Sequence, residues 1–283
     1  MSKTGPRPGD RTATPPNQSH SGGSPSAQAR PGSLADEADR IAVLQVPPEL
    51  GVLEIAALLG QLNANLANAS VRVLVLRGSP ETFCRGMALG DVSVEPERAS
   101  AFERATETFA DVLLRLREAR PITVALVEGP ALGGGVGLLA ACDFVMACDT
   151  ASFSLPELRL GLVPAVILPV LAERLSLPRT RRWALTQATW TATEAEANGL
   201  VDLRVANGRI DVELRRLQRT LLRAHPRGVL ALKSLARQIG GKTLSDAIAC
   251  GKATLNALLQ DEATRRDLVA FRDFGMLPGE EES

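Results

Sequence analysis

The chain has 283 residues, 45% of them apolar, with 32 Lys and Arg against 32 Asp and Glu. That length supports one large core or two smaller ones, and the balanced charge with 3% aromatic residues speaks against a nucleic-acid surface built on cations and stacking. Two His, four Cys without a CxxC pair and no apolar run of about 18 residues give no zinc, haem or membrane-spanning pattern, so a cytoplasmic protein with free thiols and no metal is expected.

Residues 1–37 are Pro, Gly, Ser, Thr and Gln with almost no large side chain to bury, and read as a disordered tail containing His20. From Arg40 the pattern changes. Residues 41–46 predict a strand closed by Pro47 and Pro48, 50–67 an Ala-rich helix, and the β-branched run 71–77 a buried strand. "GSPETFCRGMALGDV" supplies a loop before a helix over 100–117. A strand over 122–127 runs into a glycine corner and a short helix, about 134–141, and 143–147 predict the next strand. After "SFSLPELRLG" come helices near 165–175, 179–186 and 193–198, then a last strand over 201–205. The strand–turn–helix rhythm of 38–210 indicates α/β layering. Residues 211–283 are almost wholly helical, more than one domain face needs, so part of that region is expected to pack on another subunit.

The corner "GPALGGGVGLLAACD" (129–143) places Gly133, Gly134, Gly135 and Gly137 where glycine weakens a helix by roughly 1 kcal/mol each. A strand entering a helix there leaves the first helical N–H groups unpartnered and open to a phosphate or to a carbonyl that becomes an oxyanion. The alternative is that glycine only permits close helix–strand packing. Gly135, Gly137 and Ala140 fit a dinucleotide pattern with Asp149 after the next strand, but "EGPALG" separates the strand from it. "GGKT" at 240–243 has Ala236 where a P-loop needs glycine. "FCRGMALGD" forms a second corner, so two backbone N–H groups from two loops could meet at one oxygen.

"FCRGMALGD", then "PITVALVEGPALGGGVGLLAACDFVMACDTASFSLPELRLGLVP" and "TRRWALTQATWTATEAEANGLVD", resemble the crotonase (enoyl-CoA hydratase/isomerase) superfamily over about residues 40–260. The resemblance implies a spiral of strand–strand–helix turns and C-terminal helices that pack subunits into a trimer or a dimer of trimers. It implies an acyl-thioester substrate carried on CoA or phosphopantetheine with no further cofactor, its carbonyl held by the N–H groups of Met87 and Gly134. Of the two glutamates that hydratases use, the second matches Glu157 in "SLPEL", and the first falls on Gly137. One carboxylate resembles the family's isomerases. "FCRGM", "GGGVG" and "FSLPELRLGLVPAVILP" together look most like the dehydratases of polyketide β-branching, which act on a hydroxymethylglutaryl group on an acyl carrier protein, with related decarboxylases next. Ala88 departs from the Asp that many relatives carry. A non-catalytic acyl-binding paralogue is the alternative class.

Glu157 has two readings. Ser154-x-x-Glu157 fits a capping box; as an acid/base, it would be desolvated by Leu155, Leu158, Leu160 and Leu162 and its pKa raised toward neutrality. Asp91 either faces the same cavity or caps a helix. Arg85 and Lys252 either meet the phosphates of a CoA or pantetheine arm or lie on solvated faces. Glu128 is placed at a solvent-facing turn, Asp143 at a strand start, Cys84 and Cys142 in the core, Trp183 and Trp190 in packing, and His225 at a helix start.

Overall fold

The runs VLVLR and ITVALV lack the alternation of a half-exposed strand, and in the computed structural model, which describes residues 39–91 and 95–275, they form the centre of a sheet covered on both faces. The tail assigned to 1–37, with His20, lies outside the described residues. Strands β1 (Ile41–Gln45), β2 (Val73–Arg77), β3 (Ile122–Val127), β5 (Phe144–Cys148) and β8 (Leu203–Val205) pair in the order β1-β2-β3-β5-β8, all parallel. The two-residue period sorts their side chains. Leu74, Leu76, Ala125, Val127, Val145 and Ala147 enter one core, with helices α1 (Val52–Ala67) and α2 (Pro96–Glu118). Val73, Val75, Val124, Leu126, Met146 and Cys148 enter a second, closed by Ile210 and Leu214 of α7 (Ile210–Leu222).

The second strand of each strand–strand–helix turn builds a second sheet, whose strands are two or three residues long and too short to be placed from the sequence. In it β4 (Ala131–Leu132) runs parallel to β6 (Ser152–Ser154), which pairs antiparallel with β7 (Trp190–Thr191). The chain passes from β3 through β4 into α3 (Gly134–Ala140), and from β5 through β6 into a 3-10 turn, Glu157–Leu160. Helices α4 (Leu168–Leu175), α5 (Leu177–Thr186) and α6 (Ala192–Ala197) follow near their predicted places. α6 opens on a true capping box between Thr191 and Glu194. Trp183 of α5 stacks on Trp190 of β7 at 3.8 Å and donates its indole N–H to the Ala188 carbonyl, in keeping with a packing role.

The helical region from 211 divides. α7 belongs to the second core, whereas α8 (Pro226–Ile239), α9 (Leu244–Gln260) and α10 (Glu262–Phe274) contain no buried residue. His225 caps α8 by accepting the Arg227 N–H. One partly buried ion pair ties α8 to the sheet: Lys233 Nζ donates to Asp143 Oδ2 at 2.7 Å and to the Pro121 carbonyl at 3.0 Å. The same Asp143 oxygen accepts the backbone N–H and hydroxyl of Thr123. Glu128 is half-buried rather than free in solvent: it accepts two bonds from the Arg77 guanidinium, which bridges on to Asp211. No helix among the described residues is long and apolar enough to cross a membrane.

Candidate active site

The two glycine corners meet. Cys84 bridges Ala131 of β4, and the Leu132 N–H donates to the Cys84 carbonyl at 2.9 Å. The approach tolerates no side chains. A Cβ at Gly135 would fall well inside contact with the Cys84 carbonyl, and one at Gly86 would lie 3.0 Å from the Gly134 nitrogen. The glycines therefore do serve close packing, and the packing brings Met87 and Gly134 to the wall of one cavity of about 300 Å³.

The backbone N–H of neither residue has a hydrogen-bond partner among the described residues. In the bridge between Met87 and Leu50, Leu50 N–H donates to the Gly86 carbonyl at 2.8 Å and Ala88 N–H to the Leu50 carbonyl at 3.1 Å. Successive amides of an extended segment face opposite sides, so the Met87 N–H turns away from Leu50. Gly134 opens α3, where the first-turn N–H groups lack partners. The preceding Gly133 N–H is already given to the Ser154 carbonyl at 3.0 Å.

Glu157 lines the same cavity from the 3-10 turn. The capping box is not formed: no side chain caps this turn, and the carboxylate instead lies against Gly133. Gly133 has φ +49°, a left-handed value that favours glycine, and a Cβ there would be 2.9 Å from Glu157 Oε1. Oε2 is buried without a hydrogen-bond partner. Burial raises the Glu157 pKa, only partly offset by a bond from its own backbone N–H.

The surrounding wall is apolar, and differs from expectation. Leu160 and Leu162 line the cavity at its exposed rim; Leu155 is buried in the core and Leu158 does not line it. The missing wall comes from Ile167 and from Phe102, Thr106 and Phe109 of α2. Their i, i+4, i+7 spacing is legible as one helix face, but nothing in the sequence says that this face meets a cavity. Ile167 lies within "FSLPELRLGLVPAVILP", but nothing in that stretch says that its side chain reaches the cavity.

Two candidates are corrected. Asp91 is not on the cavity wall: its Oδ2 accepts the Val52 N–H at 3.0 Å and so caps α1 from a distance of 39 residues. Lys252 is exposed on α9, and the chain does not bring it to the cavity. Arg85 does line the cavity, largely exposed at its mouth and 3.3 Å from Glu49. Cys84 and Cys142 sit in the core with thiol pKa values pushed by burial to about 11 and about 12, inert as nucleophiles.

Two sheets linked by strand–strand–helix passages, with two glycine corners and one acid at a shared cavity, are the form of a crotonase-type α/β protein. Comparison with known proteins agrees. A family model, Enoyl-CoA hydratase/isomerase, matches residues 54–275. The chain is 29% identical over 214 residues to the bacillaene synthase dehydratase PksH of Bacillus subtilis (strain 168), covering 76% of this chain and 82% of that protein. It is 31% identical over 207 residues to the enoyl-CoA isomerase/hydratase fer4 of Mycosarcoma maydis, covering 71% and 73%. Among solved structures, AtuE of Pseudomonas aeruginosa superposes with a TM-score of 0.76 at 28% identity over 83% of this chain and 94% of that one. The chain belongs to the enoyl-CoA hydratase/isomerase family and has the crotonase fold.

Proposed function

We propose that the protein is an acyl-thioester lyase that dehydrates a β-hydroxyacyl group, of hydroxymethylglutaryl type, carried on an acyl carrier protein or CoA. The observation that carries this reading is one half-buried carboxylate, Glu157, with Oε2 enclosed, in one apolar cavity with the unpartnered amides of Met87 and Gly134. The thioester carbonyl accepts hydrogen bonds from those two amides. Glu157 removes the α-proton, and the amides hold the enolate oxygen, each donor lowering the barrier by about 3–4 kcal/mol. The acid then gives that proton to the departing β-hydroxyl; water leaves and the Cα–Cβ double bond forms. Returning the proton at Cγ instead makes the same site a double-bond isomerase, a second reading favoured by the lone carboxylate. Similarity to PksH, named a dehydratase, supports the first.

Arg85 at the mouth is suited to the phosphate of a pantetheine arm. The apolar side chains exposed on α8–α10, Leu232, Leu244 and Phe274 among them, supply a surface for the trimer or dimer of trimers that the family resemblance implies. The test is a panel of β-hydroxy, unsaturated and β-carboxylated acyl thioesters followed by mass, with wild type and Glu157→Gln. Loss of one water by the wild type and none by the variant, with binding retained, supports the proposal. Full activity in the variant ends the mechanism, and a panel unchanged by wild type favours a non-catalytic acyl-binding protein.

A further inference from the structure

Gly137 is where the first hydratase glutamate would stand, and the structure shows what takes its place. A Cβ at Gly137 would fall well inside contact with Ile167 Cγ2 and 2.9 Å from Ile167 Cβ. Its next neighbour, Leu113 Cδ2 at 3.8 Å, is at ordinary distance. Gly137 is an ordinary helical position inside α3, so backbone conformation does not demand glycine there. The obstacle is one side chain from another element. Ile167 stands at the entry to α4, is 3% exposed, and lines the cavity together with Glu157 and Gly134.

We propose that Ile167 is a specificity-determining residue: it fills the volume of a second acid and presents a hydrocarbon wall there, so residues 137 and 167 together hold the site in its one-acid form. The inference rests on the one-acid reading above. With one acid, Glu157 is both acceptor and donor of the proton, and no second group holds the β-oxygen. Hydroxyl loss then depends on the substrate. A β-carbon bearing an extra carbon branch loses water from the enolate more readily than an unbranched one, because the branch stabilises the Cα–Cβ double bond as it forms, and the same branch packs on hydrocarbon. The site therefore favours β-branched over unbranched β-hydroxyacyl thioesters, and Ile167 enforces the choice.

Four proteins test this: wild type, Gly137→Glu, Ile167→Gly and the double variant. Each is measured for thermal midpoint, for α-proton exchange of an acyl-CoA in deuterated water, and for interconversion of 3-hydroxybutyryl-CoA with crotonyl-CoA. Gly137→Glu alone should melt lower than wild type and gain no activity on the unbranched pair. In the double variant the carboxylate has room: the midpoint should recover relative to the sum of the two single changes, and the unbranched rate should rise at least tenfold over wild type. A Gly137→Glu midpoint equal to wild type, or equal gains in the single and double variants, overturns Ile167 as the barrier. A folded, exchange-competent double variant with no gain overturns the specificity claim. Absence of α-proton exchange in the wild type counts against the Glu157 mechanism instead, and the midpoints still decide the steric claim.

Discussion

The carboxylate of Glu157 rests against the backbone of Gly133, where a Cβ would stand 2.9 Å from Oε1. The glycine that opens the α3 corner thus also defines where the acid sits. Gly133→Ala should strain the backbone at φ +49° by about 1–3 kcal/mol and push the carboxylate aside. Displacement of a catalytic group by about 1 Å can cost about 100-fold. Turnover should fall far more than the thermal midpoint, as kinetics and calorimetry on the same sample will show.

Glu157 should also set the pH response. Its folded pKa is raised by burial above the ordinary 4.5. The stability contributed by the neutral acid is therefore complete below about pH 4.5 and is lost as pH rises through the elevated value. Glu157→Gln, which stays neutral, should be more stable than wild type at pH 7, with the advantage shrinking on acidification. Activity should move the other way, rising with pH as the base is freed. Denaturant midpoints and kcat/KM against pH check both arms.

Asp91→Ala should remove the cap on α1 and cost about 1 kcal/mol in a denaturant titration, while kcat changes little. A large loss of kcat at full stability would return Asp91 to the cavity.

Lys233 and Asp143 are paired in a largely buried setting, and burial lowers the Lys233 pKa despite the neighbouring carboxylate. Lys233→Met leaves Asp143 with its Thr123 bonds but no cation, at a cost below the roughly 3–5 kcal/mol of a fully buried pair because Asp143 keeps some solvent. Because this pair fastens α8 to the sheet, the variant should also protect α8–α10 less in hydrogen exchange.

Gly135→Ala meets backbone rather than a movable side chain, the Cys84 carbonyl. Overpacking of this kind costs about 1–3 kcal/mol, and it should part the two corners that carry Met87 and Gly134. Weakened acyl-thioester binding, read by titration, should accompany the loss of stability.

The main sheet was legible because 73–77 and 122–127 are long apolar runs that only a doubly covered strand can bury. The helix of 100–117 was found late by four residues, its Pro96 start hidden by a polar first turn. β4, β6 and β7 were illegible: two or three residues carry no period, and their pairing depends on contacts distant in sequence. In the cavity, Met87, Gly134 and Glu157 came from motif resemblance. The long-range cap by Asp91 and the filling of the Gly137 position by Ile167 exist only after folding, since each joins residues 30 or more apart along the chain.

The stacked indoles of Trp183 and Trp190 are the chain's whole complement of tryptophan, and it has no tyrosine. Ultraviolet emission from this protein therefore reports a single spot, the junction of α5 with β7. A melting curve followed at that wavelength will track the second sheet and stay blind to α8–α10, whose detachment must be followed by scattering or by a label.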